Sequence, residues 1–403
     1  MLTFYGGNMT GNVLVVHGGG PTPVMNASLY GVIMESRKHP EIGCVYGALG
    51  GMEGIFKERF VNLSQVDDAV LQKLLETPGT AIGSSRYPVT EEDYEKTPEI
   101  MKKYNIRYIL PNGGNGTMDT CGRIYQACVK EVYRDLRVVG IPKTIDNDLA
   151  VTDHTPGYGS AARYMAASVQ EVGADVRSLP IHVCVMEALG RNAGWITAAS
   201  ALARKKKDDA PHLIYLPERP FDEEQFLKDV KELYDRLGGV VVVVSEGLKK
   251  ADGTPIVDPI FKTERAVYYG DVSAHLANLV IRRLGIKARS EKPGLCGRAS
   301  IAWQSPVDRE EAVLAGAEAL KAALEGHTGV MVGFKRRESQ EYGIDTFLIP
   351  IEQVMMVEKT MPDEFISPEG NDVTAAFTDW CRPLIGPELR DFVDFQAGNE
   401  GEK

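Results

Sequence analysis

VVGIPKTIDND, residues 138–148, places an apolar run of strand type directly before a cluster of charged and polar side chains. Ligands of open parallel sheets bind outside the carboxyl ends of strands, so this position favours a functional site. In an extended segment Asp146 and Asp148 would project to the same face, where they could divide proton acceptance and metal organisation. Lys143 would add a compact positive charge for phosphate oxygens. The alternative is an ordinary polar turn, because Asp and Asn favour turns.

Length and composition describe an ordinary globular chain. Its 403 residues are 43% apolar and 25% charged, which predicts about two or three domains. The net charge of -11 argues against nucleic acid or an anionic membrane surface as the main partner. The six cysteines show no C-x-x-C spacing, residues 1–6 carry no signal-peptide pattern, and no apolar run reaches membrane-spanning length. We therefore expect a cytoplasmic protein that binds neither nucleic acid nor membrane.

Short runs rich in valine and isoleucine alternate with helix-length segments along the chain. This alternation predicts an α/β fold, in which mostly parallel sheets carry helices on both faces. The predicted strands are residues 13–16, 106–110, 138–141, 182–186, 213–216, 240–244 and 298–303.

Glycine-rich loops follow two of the predicted strands. The first is GGGPTPVMNA, residues 18–27, and the second is GGNGTMDT, residues 113–120. Glycine lets the backbone approach a ligand, and a following helix N-terminus presents unpaired N–H groups to an anion. The first loop matches neither a dinucleotide fingerprint nor a Walker loop, so a structural turn remains its alternative. Together with residues 142–148, the loops predict a phosphate site built from three strand ends.

The order of these motifs resembles the phosphofructokinase family over nearly the whole chain. That family transfers a phosphoryl group from ATP or pyrophosphate to fructose 6-phosphate. The resemblance is carried by the two glycine loops and by residues 83–87 (GSSRY), 142–148 (PKTIDND), 186–191 (MEALGR), 217–218 (PE), 245–247 (SEG) and 293–298 (PGLCGR).

The resemblance implies the phosphofructokinase fold, with two Rossmann-like, three-layer α/β domains and mostly parallel sheets. We expect a phosphoryl-donor domain of residues 1–158 plus about 304–353, and a sugar-phosphate domain of residues 159–303 plus about 354–403. The active site would lie in the cleft between the domains.

The resemblance also implies the chemistry. Asp146 would accept the proton of the sugar C1 hydroxyl, Asp148 would support this base and the hydrated metal, and Lys143 would neutralise donor phosphates. Mg²⁺ is the implied cofactor, with Asn115 and Asp119 as metal ligands. Most relatives have aspartate at the position of Asn115, and a neutral amide oxygen is a poorer magnesium ligand.

Further contacts divide between the two substrates. The implied donor contacts are Gly19, Gly20, Arg86, Tyr87, Gly114, Gly116 and Thr117. The implied sugar-phosphate contacts are Thr144, Ile145, Leu189, Gly190, Arg191, Glu246, Arg289, Leu295, Arg298 and His182. A guanidinium fork suits phosphate, which makes the three arginines chemically coherent.

Two of these positions depart from the family pattern. His182 stands where many relatives carry an arginine that reaches the substrate phosphate of a neighbouring subunit, and Leu295 replaces a common His or Tyr. Because relatives complete the sugar site in this way, the resemblance implies a homo-oligomer, either a dimer or a tetramer.

Two positions bear on the phosphoryl donor, and they point in opposite directions. Pyrophosphate users of the family commonly have aspartate at the position of Gly116 and lysine at that of Lys143, whereas this chain has only the lysine. Because Gly116 leaves room for the nucleotide α-phosphate, we expect ATP as the donor. Pyrophosphate is the alternative, since residues 152–160 and 190–195 resemble a largely pyrophosphate-dependent bacterial branch.

Two further hypotheses from other classes stay open. One is a regulatory homologue that binds sugar phosphate with impaired turnover, which the departures at Asn115, His182 and Leu295 motivate. The other is a kinase of a different family with a similar double-glycine loop, such as an NAD or lipid kinase. Those families lack the motif of residues 142–148.

Overall fold

The structure is a computed structural model that describes residues 11–129, 133–262 and 267–395. Predictions that concern residues 1–6, and the outer domain limits at 1 and 403, lie outside this range. The strands of the described residues are β1 (Gly11–His17), β2 (Ile42–Ala48), β3 (Phe60–Asn62), β4 (Ile106–Gly113), β5 (Arg137–Pro142), β6 (Val183–Ala188), β7 (Leu213–Tyr215), β8 (Val240–Ser245), β9 (Pro259–Lys262), β10 (Val267–Tyr269), β11 (Ala288–Glu291), β12 (Val330–Arg336) and β13 (Ile344–Pro350).

The helices lie between these strands and after the last of them. They are α1 (Met25–Ser36), α2 (Met52–Phe56), α3 (Asp68–Leu74), α4 (Glu91–Lys103), α5 (Asn115–Ile124), α6 (Tyr158–Ser178), α7 (Trp195–Ala199), α8 (Glu223–Leu237), α9 (Val272–Leu284), α10 (Leu295–Ala299), α11 (Pro306–Leu324) and α12 (Ala375–Cys381). Among the described residues, no helix combines the length and apolar character needed to cross a membrane.

The larger sheet has seven strands within the described residues, in the order β13-β12-β5-β4-β1-β2-β3. Its inner strands run parallel, and β13 and β3 pair antiparallel at the two edges. Helices α1 and α11 pack against one face, and α4 and α5 pack against the other. The strands are therefore apolar on both sides, as a helix-covered parallel sheet requires.

The smaller sheet is fully parallel in the described part of the chain, with the order β11-β6-β8-β7. Helices α6, α7 and α12 contribute to the core on one face, and α8 and α9 contribute to the core on the other. Strands β9 and β10 form a separate antiparallel hairpin. The predicted α/β class, with two three-layer units of mostly parallel sheet, is confirmed.

Six of the seven predicted strands are confirmed, and the prediction at residues 298–303 is wrong. Gly294, with a φ of +51°, directly precedes the short helix α10, which carries Arg298 and ends at Ala299. The following residues form a turn in which Ile301 and Trp303 are only partly buried. A strand needs a neighbouring strand for its backbone hydrogen bonds. Residues 298–303 lie outside both sheets of the described part of the chain, so they have no such neighbour.

A buried ionic network fixes the chain directly after residues 142–148. His154 Nδ1 lies 2.7 Å from Asp153 Oδ1, and its Nε2 lies 2.7 Å from Glu311 Oε2 on α11. The Tyr342 hydroxyl donates to Glu311 Oε1 at 2.6 Å. Burial lowers the pKa of His154, but the two carboxylates outweigh burial and raise this pKa to about 9. His154 is therefore a buried cation held between two anions.

The network predicts a pH-dependent stability. His154→Gln leaves the buried Glu311 carboxylate without its cation, while Asp153 keeps Arg336 Nε at 3.0 Å, so the free energy of unfolding should fall by about 3 kcal/mol. Because the pKa of His154 rises from 6.5 in the unfolded chain to about 9 in the fold, its contribution is complete below pH 6.5. The contribution is lost as the pH rises through about 9. Urea unfolding of both proteins at several pH values measures this.

Tyr342→Phe is the matched control, since it removes only the hydroxyl that contacts Glu311 Oε1 at 2.6 Å and His154 Nε2 at 3.5 Å, and leaves the imidazolium between the two carboxylates. It should cost about 1 kcal/mol, with little dependence on pH over the range in which His154 titrates. A His154→Gln effect that is equally large above pH 9 would contradict the charged role of this residue.

Candidate active site

The carboxyl ends of three neighbouring strands meet at one edge of the larger sheet. Strands β5, β4 and β1 are adjacent, so the loops that follow them are adjacent as well. The Gly18 N–H donates to Asn112 O at 2.9 Å, and the Lys143 N–H donates to Gly113 O at 3.0 Å. A cavity of about 600 Å³ opens over this edge. The sequence motifs thus converge on one site.

Most of the predicted site residues line this cavity. Leu189 and Glu246 belong to the unit of the smaller sheet, so the cavity lies between the two units. The predicted residues in its wall are Gly19, Gly20, Arg86, Tyr87, Gly114, Asn115, Gly116, Thr117, Lys143, Thr144, Ile145, Asp146, Asp148, Leu189, Glu246 and Arg298.

The two glycine loops approach each other across Thr117. A Cβ added at Gly18 would lie 2.2 Å from Thr117 Oγ1, and one added at Gly113 would lie 2.0 Å from the same atom. Gly19 has a φ of +74°, and its carbonyl accepts a 2.7 Å hydrogen bond from Ser84 Oγ. Larger residues would push the loops apart. Helix α5 begins beside them, and its unpaired N–H groups suit an anion.

The geometry of the aspartate pair differs from the extended segment that the sequence predicted. Asn147 has a φ of +53°, in the left-handed region that Asn tolerates better than most residues. The chain therefore bends between Asp146 and Asp148 instead of following the alternation of a strand. Both carboxylates still line the cavity.

Lys143 is a buried cation at the base of the cavity. Its Nζ donates to Gly20 O at 2.7 Å, and only 3% of the residue is exposed. Burial lowers the pKa of Lys143 to about 8, although Asp146 and Asp148 oppose this shift. The ammonium therefore joins the first glycine loop to the aspartate pair electrostatically, where it can neutralise a bound phosphate.

Asp146 has the electrostatics of a general base. Burial raises its pKa to about 7, and the charges of Asp148 and Glu246 raise it further than Lys143 and Arg298 lower it. A carboxylate whose pKa lies near neutrality is well matched to proton acceptance at physiological pH. Burial also raises the pKa of Asp148.

Two unpartnered oxygens mark a place for a hard cation. Asn115 Nδ2 donates to Asp148 Oδ2 at 2.8 Å. Within the described residues, Asn115 Oδ1 and Asp148 Oδ1 are buried without a hydrogen-bond partner. Magnesium is commonly held by one or two protein oxygens together with water and substrate phosphates, so this donor pair fits it. No cluster of three or more His, Cys, Asp or Glu side chains in the described ranges could hold a metal.

Asp119, the second predicted metal ligand, is placed apart from this pair, and its role stays a prediction. It lies outside the cavity wall, and its Oδ2 accepts a 3.1 Å hydrogen bond from Arg123 Nε one turn along α5.

Several predicted sugar-phosphate contacts also lie outside the cavity wall. Arg191 and Arg289 are exposed, and Leu295 is 64% exposed on α10. Arg191 Nη1 donates to Val267 O at 3.4 Å, which draws the guanidinium towards the β9–β10 hairpin. Gly190 contacts a residue of the cavity wall, since its N–H donates to Glu246 Oε1 at 3.2 Å.

His182 is buried, and it lies away from the cavity. It is 5% exposed and precedes β6, at the end of that strand opposite to Leu189. Burial lowers its pKa, and Arg289 lowers it further. The contact of His182 with a neighbouring subunit stays a prediction.

Arg298 lies closer to the donor loop than the sequence suggested. A Cβ added at Gly20 would be 2.8 Å from Arg298 Nη1. Sequence reasoning also missed Met52, a cavity residue at the start of α2. It follows β2, which was not predicted as a strand. Gly50 and Gly51, both with positive φ, were the available signal at that strand end.

The site as a whole is built for phosphoryl transfer, because it combines a base of near-neutral pKa with a buried cation, anion-binding backbone and a place for a hard metal. The family model described as Phosphofructokinase matches residues 12–323. The chain belongs to this family and is a phosphotransferase.

Relatives of known sequence and structure agree over the full fold. The chain is 40% identical to the pyrophosphate--fructose 6-phosphate 1-phosphotransferase of Rhodospirillum rubrum, over 94% of this chain and 96% of that protein. Identity to the protein of the same name from Xanthomonas campestris is 37%, over 94% and 92%. A crystal structure of pyrophosphate-dependent phosphofructokinase from Nitrosospira multiformis matches with a TM-score of 0.87 and 35% identity, covering 96% of this chain and 94% of that one.

The two candidate Mg²⁺ ligands, Asn115 and Asp148, lead to a testable prediction. Asp148→Asn and Asn115→Ala should each weaken Mg²⁺ binding by about 10- to 100-fold, because each removes or weakens an oxygen donor. Calorimetric titration of Mg²⁺ into the protein with bound pyrophosphate measures this without turnover. Asp119→Asn is the control and should leave the affinity unchanged. A loss at Asp119 equal to that at Asp148 would contradict the assignment.

Proposed function

We propose that the chain transfers a phosphoryl group from pyrophosphate to the C1 hydroxyl of fructose 6-phosphate, which gives fructose 1,6-bisphosphate and phosphate. The observation that carries this proposal is the convergence of Asp146 and Lys143 with two glycine loops in one cavity. The names and full-length similarity of the relatives support the substrates.

Positioning and electrostatics supply most of the catalysis in such a transfer. Asp146 accepts the proton of the C1 hydroxyl while the oxygen of that hydroxyl attacks the phosphorus atom. Thr144 supports this residue, since its Oγ1 accepts the Asp146 N–H at 3.1 Å. Lys143 and Arg86 neutralise the donor phosphates, including the phosphate that leaves. Glu246 reaches the cavity from the second unit and accepts hydrogen bonds from sugar hydroxyls.

Mg²⁺ is the proposed cofactor. Asn115 and Asp148 would hold it through their unpartnered oxygens, and it would supply charge neutralisation to the donor phosphates when bound. Lys143 and Arg298 face the same cavity and share that task, which suits a site where an amide replaces one carboxylate.

Pyrophosphate replaces ATP as the favoured donor. The ATP expectation rested on Gly116, and a Cβ at this residue would indeed meet no atom within 4 Å. Open space permits a nucleotide but does not bind one. Lys143 is a positive feature that attracts phosphate, and the relatives at 36–40% identity are named for pyrophosphate. The domain boundaries, the homo-oligomer and the cytoplasmic location stay predictions.

The donor is tested with purified protein, fructose 6-phosphate, Mg²⁺ and either pyrophosphate or ATP. The specificity constant kcat/KM for pyrophosphate should exceed that for ATP by at least about tenfold. Aldolase-coupled detection of fructose 1,6-bisphosphate measures both rates. Gly116→Asp is the matched variant: it fills the open space, so it should depress ATP use more than pyrophosphate use.

Other outcomes of this assay would support the alternative hypotheses. Product from ATP alone would establish ATP as the donor. Binding of fructose 6-phosphate by calorimetry, with no product from either donor, would instead support the regulatory homologue.

A further inference from the structure

A strained turn follows the aspartate pair. We define the 148–153 turn as the residues from Asp148 to Asp153, where the chain leaves the cavity. Val151 in its middle has a φ of +70°, and Asn147 just before it has a φ of +53°. A β-branched residue in the left-handed region is an outlier that persists only where surrounding contacts hold it. Val151 is 52% exposed, so its own side chain does not supply those contacts.

Lys359 holds both ends of this turn, although it is more than 200 residues away in sequence. Its backbone N–H donates to Asp148 O at 2.8 Å. Its Nζ donates to Thr152 O at 3.0 Å and to Asp153 O at 2.9 Å. One residue thus bridges the start and the end of the turn.

The Lys359 side chain is itself fixed. Its Nζ lies 5.2 Å from the centroid of the Trp195 ring, and its carbonyl accepts a 3.5 Å hydrogen bond from Trp195 Nε1. An aromatic face attracts a cation, so the ring stabilises the ammonium where water is scarce. Burial lowers the pKa of Lys359 to about 8, against the raising effect of Asp153 and Asp148. The desolvation of the Lys359 ammonium costs free energy, and its contacts with the turn offset that cost.

The contacts of Lys359 reach Asp148, which is one of the two candidate metal ligands. Asp148 is held at its carbonyl by Lys359 and at its Oδ2 by Asn115, and its Oδ1 remains unpartnered among the described residues. Movement of the turn would therefore shift the oxygen that is available to a cation.

We propose that Lys359 is a positioning residue for phosphoryl transfer, which holds the 148–153 turn so that Asp148 stays directed into the cavity beside Asp146. The inference rests on the proposed function and adds a residue that lies outside the cavity wall. Residues that support catalytic or metal-binding groups from outside commonly change activity strongly when they are mutated.

Lys359→Met tests this role. Methionine keeps the side-chain length and the backbone N–H, but it removes the ammonium that binds the end of the turn. We expect kcat to fall by about 10- to 100-fold, with KM for fructose 6-phosphate changed by less than about threefold. Hydrogen–deuterium exchange of the peptide that covers the turn should increase in the same variant, and this readout needs no turnover.

Two further variants separate positioning from general stability. Tyr215→Phe loses the 2.9 Å hydrogen bond to Asp229 Oδ2 in the unit of the smaller sheet and should retain the wild-type kcat and the wild-type exchange in the turn. Lys359→Ala with added propylammonium should regain part of the lost kcat as the amine concentration rises. A residue that is only structural would change unfolding without changing the kcat of the folded fraction.

The outcomes are distinct. A folded Lys359→Met protein with normal kcat overturns the proposal, as does unchanged exchange in the turn. If the wild-type protein transfers phosphate from neither donor, the proposed function fails. In that case increased exchange in Lys359→Met, together with weaker Mg²⁺ binding, still supports the positioning of Asp148, and unchanged values of both overturn it.

Discussion

The burial of Lys143 beside Asp146 and Asp148 is the constraint on which the site depends. An ammonium that is 3% exposed loses much of its hydration, and the neighbouring carboxylates compensate only in part. The same desolvation raises the pKa of Asp146 to about 7. A polyanionic substrate would supply the missing negative charge near Lys143. The site is thus prepared for phosphate by electrostatics before any ligand binds.

The fold maintains this arrangement from several directions. The larger sheet brings three strand ends together, which sets the positions of Lys143 and the two glycine loops. After the aspartates, the chain is anchored to α11 through His154 and Glu311. Lys359 holds the strained turn between these two regions. Strain and buried charge next to the cavity lower stability locally, and the surrounding network offsets this cost.

Sequence reasoning recovered the local parts of the site and missed those that depend on distant contacts. Strand ends and glycine loops are encoded within a few residues, so the cluster around Asp146 could be predicted together with the fold class. The positive φ of Asn147 could not, because the sequence pattern of this segment favoured extended backbone. Lys359 lies in a loop with no motif, and it reaches the turn from more than 200 residues away. Long-range packing decides these positions.

The central claim is that Asp146 is the base of a phosphoryl transfer to a sugar hydroxyl. Turnover of Asp146→Asn and of the wild-type protein, measured as a function of pH with fructose 6-phosphate, pyrophosphate and Mg²⁺, tests it most directly. The wild-type rate should rise with pH through an apparent pKa near 7, because only the ionised carboxylate accepts a proton. The variant should be at least about 100-fold slower and lack this rise. Near-normal turnover in Asp146→Asn would contradict the account.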